Sequence, residues 1–270
     1  MRLLTSCELT FDIPEPTPFI LMLRPRSRAR QWVASERYTL VPGTPVTEFT
    51  DTYGNLCQRL LAPPGIFSVH TAAEVVLAYG VEPGVGAPFV EIRHLPDSVL
   101  CYLLPSRYCE SERFGQMAGE ITTDRLLGYN QVAAIEAWLR AEIRYEAGSS
   151  EFPVSAVEVN ERGWGVCRDF AHLGMALCRS LCIPARMVVG FLYDLQPMDF
   201  HAWFEAFVGG RWYTFDATQP ESKDGYVVLG YGRDAADVAV YNQFGPAVFP
   251  TTQHVRVERL QDESVWPTLQ

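Results

Sequence analysis

The stretch RLLTSCELTFDI, residues 2–13, constrains the fold more than any other segment, because its side chains alternate along its whole length. Leu3, Thr5, Cys7, Leu9, Phe11 and Ile13 fall on one side; Arg2, Leu4, Ser6, Glu8, Thr10 and Asp12 fall on the other. Period-two alternation belongs to a strand with one buried face, so this segment must lie in a sheet that covers a core. Further runs of strand character come after it: PFILML, QWVASERYTLV, EFTDTYGNLCQRLL with a turn at Tyr53-Gly54-Asn55, and IFSVHTAAEVVLAY. Turns bearing proline and glycine separate them, and short strands at such spacing predict an antiparallel β-sandwich.

The pattern then changes. Residues 81–119 are irregular and read as a connector whose apolar parts dock on the C-terminal half of the chain. Across 130–146, Val132, Ile135, Leu139 and Ile143 recur at helical spacing. A second helix is expected from Cys167 to about Cys182, with Phe170, Leu173, Leu177 and Leu181 as its apolar stripe and Ile183-Pro184 as its end. Strands are expected in ARMVVGFLYDL, HAWFEAFV and RWYTFDAT, and a last alternating run, HVRVERL, closes the pattern. The expected organisation is an N-terminal β-sandwich domain with its connector over 1–115 and an α+β core over 116–270.

Composition narrows the function. Hydrophobic residues make up 48% of the 270, which is ample for a packed core, and the formal net charge of -10 leaves no basic surplus for nucleic acid. The one basic cluster, RPRSRAR at 24–30, is read as a solvated loop in preference to an anion site. The seven cysteines include no CxxC pair, so they are read as reduced thiols without a metal tetrad, and no cofactor or metal is expected. Cys178 and Cys182, four apart, are expected on one helix face. The start of the chain lacks a signal-peptide pattern, and no apolar run approaches the ~20 residues of a membrane span, so a cytoplasmic location is expected. Nothing in the sequence speaks to oligomeric state.

Cys167 stands where Gly163, Gly165 and Val166 give way to a helix. Unpaired N–H groups and the positive end of the dipole there favour a thiolate and can hold an oxyanion, while Asp169 is expected to cap neighbouring N–H groups. A buried core thiol fits that position equally well unless a base is nearby. His172, about 140° further round the same helix, is read as partly exposed or supporting. His70, His94 and His254 lie in plain strand or loop text, whereas His201 opens the run HAWFEAFVGGRWYTFDAT. With Gly209-Gly210 as a two-residue turn, Val208 faces Arg211, Trp203 faces Asp216, and His201 and Asp216 become diagonal neighbours on one face. A three-residue loop would send Asp216 to the opposite face. In the two-residue register the chain offers a thiol nucleophile, a general base and acid, and an orienting carboxylate. The cluster of Arg233, Asp234 and Asp237 is read as an internal salt bridge or turn cap.

These residues resemble the transglutaminase-like superfamily of cysteine enzymes, in its bacterial branch with an N-terminal β-domain. The resemblance rests on GVCRDFAHLGMALCRSLCIPAR, HAWFEAF and WYTFDAT, with weaker likeness in DTYGNL, YLLPSRYCE and GRDAADVAVYNQFG. It implies a core in which the helix of the nucleophile packs on an antiparallel sheet, with Cys167 as nucleophile, His201 as base and acid, and Asp216 as orienting carboxylate. One departure is Ala217, where the family commonly has proline. Trp164 and Asn160 are candidates for a second oxyanion donor, and Trp203 for a wall of the site. The expected chemistry is acyl transfer from a protein or peptide amide, hydrolysis being favoured over transamidation or deamidation. Transfer from coenzyme A would need a phosphate loop that the sequence lacks. The alternative of another class is a non-catalytic peptide-binding module on the same fold.

Overall fold

The structure is a computed structural model and describes residues 1–78, 83–149, 152–220 and 224–261. Six strands come first: β1 (Arg2–Ile13), β2 (Thr17–Leu21), β3 (Gln31–Val41), β4 (Val46–Thr50), β5 (Leu56–Ala62) and β6 (Gly65–Leu77). The alternation read from β1 is the alternation observed, with Leu3, Thr5, Cys7, Leu9, Phe11 and Ile13 all buried. They meet Phe19 and Leu21 of β2, Leu60 of β5, and Phe67 and Val69 of β6 in one apolar cluster between two sheets.

The connector makes a short helix, α1 (Asp97–Leu100), and a docking patch where Leu95, Val99 and Tyr102 pack on Phe207. Next come α2 (Gly115–Ile121), α3 (Tyr129–Glu142), β7 (Arg144–Tyr145), α4 (Ala156–Arg162), β8 (Trp164–Gly165) and α5 (Cys167–Ser180). The expected 130–146 helix thus stops short, because Arg144 and Tyr145 pair in parallel with Trp164 and Gly165. The expected α5 also ends early: Cys182 lies past its end at φ 58°, exposed, whereas Cys178 is buried, so the two do not share a helix face.

Strands β9 (Ala185–Leu192), β10 (His201–Val208), β11 (Arg211–Phe215) and β12 (Tyr226–Gly232) form an antiparallel sheet in the order β11-β10-β9-β12. Helix α5 covers one face, where Phe170, Leu173 and Leu177 meet Met187, Ala202, Phe204 and Ala206. Gly174 allows this close approach, since a Cβ there would strike the Phe204 ring. The expected α+β core is therefore the observed one.

The last strands, β13 (Tyr241–Gln243) and β14 (Pro250–Leu260), correct the domain boundary. They do not extend the core sheet; they complete the N-terminal sheets, in the orders β14-β1-β6-β3 and β13-β2-β5-β4. The alternation of HVRVERL marks a half-buried strand but carries no information about its partner, which is β1, some 240 residues away, with Cys7 opposite Val255. The sandwich thus takes strands from both ends of the pattern, and a cut at 115/116 does not separate the two halves.

Candidate active site

Helix α5 starts at Cys167, so the Cys167 backbone N–H is one of the unpaired donors of a helix start. Val166 caps the helix, and buried Asp169 folds back to accept from the Val166 N–H at 3.1 Å and from Arg162 Nη2 at 2.8 Å. That brace fixes the two residues ahead of the thiol, and Gly165 is required there because a Cβ would meet the Asp169 side chain. Cys167 itself remains partly exposed.

The hairpin register is the two-residue one. Val208 pairs with Arg211 and Phe204 with Phe215, with Gly209 and Gly210 at φ 58° and 83° in the primed turn that matches strand twist. Asp216, just beyond β11, therefore falls on the face of His201, and His201 Nε2 meets Asp216 Oδ2 at 2.6 Å. The Cys167 side chain hydrogen-bonds the same imidazole. The structure thus brings Cys167, His201 and Asp216 into one chain of contacts.

The electrostatics arise from burial and partners. Burial opposes a charged imidazole, but the hydrogen bonds to Asp216 and Cys167 outweigh it and push His201 up to about 10. Burial likewise opposes the Asp216 carboxylate, yet donors hold it below the usual range: His201 first, then Thr218 and Tyr226. Thr218 donates from Oγ1 and N–H to Asp216 Oδ1 at 2.6 and 3.1 Å, and the Tyr226 hydroxyl donates to Asp216 Oδ2 at 2.9 Å. Glu136 of α3 accepts the Asp216 N–H at 2.8 Å, so helix α3 anchors the turn that carries the carboxylate. Tyr145 overlooks the thiol; burial and then the neighbouring Cys167, Asp199 and Asp216 raise its hydroxyl to about 12.

Of the remaining expected site residues, Trp203 is buried, stacks on His201 at 5.9 Å between centroids, and packs on Tyr226 at 4.8 Å. Trp164 sits in β8 with the Arg162 guanidinium 4.1 Å from its ring centre. Asn160 stands in α4, and among the described residues no contact brings it to Cys167 or His201. Of the two readings of His172, partial exposure is corrected and the supporting one stands, for it is fully buried because α5 is enclosed on nearly every side. Its Nδ1–H donates to the Val154 carbonyl at 2.9 Å, and its Nε2 accepts the Ala235 N–H at 3.2 Å, which selects the neutral ring. The Arg233–Asp237 pair is the internal salt bridge expected, at 2.7 Å, with Asp234 capping the Ala236 N–H. Tyr226, Glu136, Tyr145 and Thr218 were missed by sequence reasoning; of these only Thr218 carried a signal, as a hydroxyl two residues after an aspartate at a turn.

Among the described residues, no group of three or more His, Cys, Asp or Glu side chains converges as metal ligands would, and no helix is long and apolar enough to cross a membrane.

Residues 115–217 match the family described as the transglutaminase-like superfamily. The chain is similar to a crystal structure of a candidate cysteine protease from Cytophaga hutchinsonii, with 35% identity, a TM-score of 0.91, and coverage of 97% of this chain and 91% of that one. It is also 29% identical over 254 residues to an uncharacterised Mycobacterium leprae protein, covering 88% of this chain and 90% of the relative. A Mycobacterium tuberculosis protein, also uncharacterised, is 27% identical over 262 residues, covering 80% of this chain and 77% of the relative.

Proposed function

Because this chain belongs to the transglutaminase-like superfamily, we propose that it is a cysteine-dependent hydrolase of peptide or isopeptide amides, with Cys167, His201 and Asp216 as its triad. The observation that carries the reading is the contact chain itself: His201 Nε2 on Asp216 at 2.6 Å, with Cys167 on the same ring. Held up to about 10, His201 is an imidazolium at neutral pH and places a positive charge beside Cys167 Sγ.

Attack of Sγ on the amide carbonyl forms the C–S bond and an oxyanion, which the Cys167 N–H receives. Collapse breaks the C–N bond as His201 Nδ1–H protonates the departing amine, leaving a thioester. Neutral His201 then takes a proton from water; the hydroxide forms the acid and releases the thiol. Asp216 keeps the ring oriented throughout, with its own oxygens occupied by Thr218 and Tyr226. Partial exposure of Cys167 supports water as the acceptor, since transamidation requires its exclusion. The seven free cysteines support a reducing, cytoplasmic setting.

The test is iodoacetamide labelling near pH 6 with peptide mapping, in wild type and His201→Ala, beside turnover of a peptide-amide library by wild type and Cys167→Ala. Rapid labelling of Cys167 that His201→Ala abolishes is expected, with turnover lost in Cys167→Ala and no incorporation of a primary amine. Cys7 and Cys109, pushed up by burial to about 12, are the internal controls and stay unlabelled. Amine incorporation faster than hydrolysis would overturn the hydrolase reading. Peptide binding by both forms with turnover by neither would identify a binding module.

A further inference from the structure

A cavity of about 550 Å³ lies between the sandwich and the face of the core sheet turned away from α5. That volume falls in the range of about 300–1,000 Å³ in which small-molecule sites occur. Its sandwich wall is fixed by Gln31, whose side chain pairs with the backbone of Val228 through both amide atoms, at 2.7 and 2.9 Å. Its sheet wall carries Trp203, Trp212, Tyr226 and Tyr231.

Arg28, from the basic run read as a solvated loop, turns inward and lines this cavity. Arg24 of the same run pairs instead with Glu36 and Glu48. The Arg28 guanidinium lies 4.5 Å from the centre of the Tyr231 ring, and its Nη2 contacts only neutral acceptors, Asn55 Oδ1 at 3.3 Å and the Gly54 carbonyl at 3.5 Å. Its Nε is buried without a partner. The same Tyr231 ring carries a second guanidinium, Arg186, at 3.7 Å, which is also 4.1 Å from the Trp212 ring centre. Arg186 uses Nε and Nη2 on one carboxylate oxygen of Glu205, at 2.8 and 2.6 Å. Two cations therefore stack on one ring, and the Glu205 carboxylate is bound to only one of them, Arg186. Arg30, Arg211 and Asp224, which also line the cavity, have interactions of their own.

A half-buried cation without a counter-charge is costly unless a ligand completes it. We propose that this cavity is a carboxylate-binding site, in which Arg28 receives the free carboxylate of a peptide ligand between the aromatic walls. The site does not depend on the hydrolase reading, although it adjoins the same residues. Trp203 and Tyr226 form its wall and stack on His201, and Tyr226 also holds Asp216, so an occupant touches the shell of the triad.

The test uses Cys167→Ala, to prevent turnover, with calorimetric titration of acetyl-trialanine as the free acid and as the C-terminal amide. At least tenfold tighter binding of the acid is expected, and Arg28→Gln, with unchanged melting, is expected to abolish that preference. Hydrogen exchange on the unaltered cavity gives a second reading: added acid should protect residues 28–31 and 226–231. Equal binding of acid and amide, or full preference retained in a folded Arg28→Gln, overturns the proposal. So does protection confined to the segment around Cys167. Inorganic phosphate that binds in an Arg28-dependent way, without any acid-over-amide preference, would identify a phosphate site and overturn the carboxylate assignment.

Discussion

At the scale of the residue, the site depends on how many donors Asp216 satisfies. Its Oδ2 accepts from both His201 and Tyr226, so the tyrosine competes with the imidazole for the same negative charge. Removing that hydroxyl concentrates charge on the oxygen facing His201 and raises the affinity of the ring for its proton. In Tyr226→Phe we expect kcat/KM to fall about tenfold, the scale of one hydrogen bond to a charged group. The alkaline limb of the pH–rate profile should move upward, because His201 stays protonated to higher pH. A rate loss with an unmoved profile would reduce Tyr226 to a packing role.

At the scale of the element, the fit between β9, β10 and β12 sets where His201 points. Gly190 faces His201 in the β9–β10 ladder, and on the other side β12 shifts register between Val228 and Gly230. A Cβ on residue 190 would overlap the Val227 carbonyl oxygen and crowd the Trp203 ring. Neither neighbour can withdraw cheaply, as one is backbone and the other is a fully buried indole. Gly190→Ala should cost about 3 kcal/mol or more of stability, as overpacking in a close-packed core does. Chemical denaturation measures this, and a loss below about 1 kcal/mol would mean that β12 moves freely.

At the scale of the whole molecule, His172 links acid stability to global unfolding, because it ties α5 to the Val154 carbonyl and the Ala235 amide. Burial lowers its pKa to about 4, and the unfolded ring titrates near 6.5. Between these values the unfolded chain binds a proton that the folded one refuses, so stability falls as pH drops through that window. The loss should approach about 3 kcal/mol near pH 4. Urea unfolding from pH 7 to 4.5 is expected to show this slope in wild type and a shallower one in His172→Gln. Equal slopes would assign acid sensitivity to the carboxylates.

Local features were legible in the order of residues alone. The alternation of β1, the start of α5 at Cys167, and the hairpin register that puts His201 and Asp216 on one face each come from a period or a turn within some twenty residues. Which strands meet was settled by folding in three dimensions. Strands β13 and β14 return to the sandwich, Arg28 leaves its apparent loop for a cavity floored by Tyr231, and Tyr226 reaches Asp216. His172 becomes fully buried for the same reason, since a single helical stripe cannot reveal that α5 is covered on its other sides too. The physical cause is common to all four: periodicity reports that a face is buried, whereas the identity of its cover depends on contacts between segments distant in the chain.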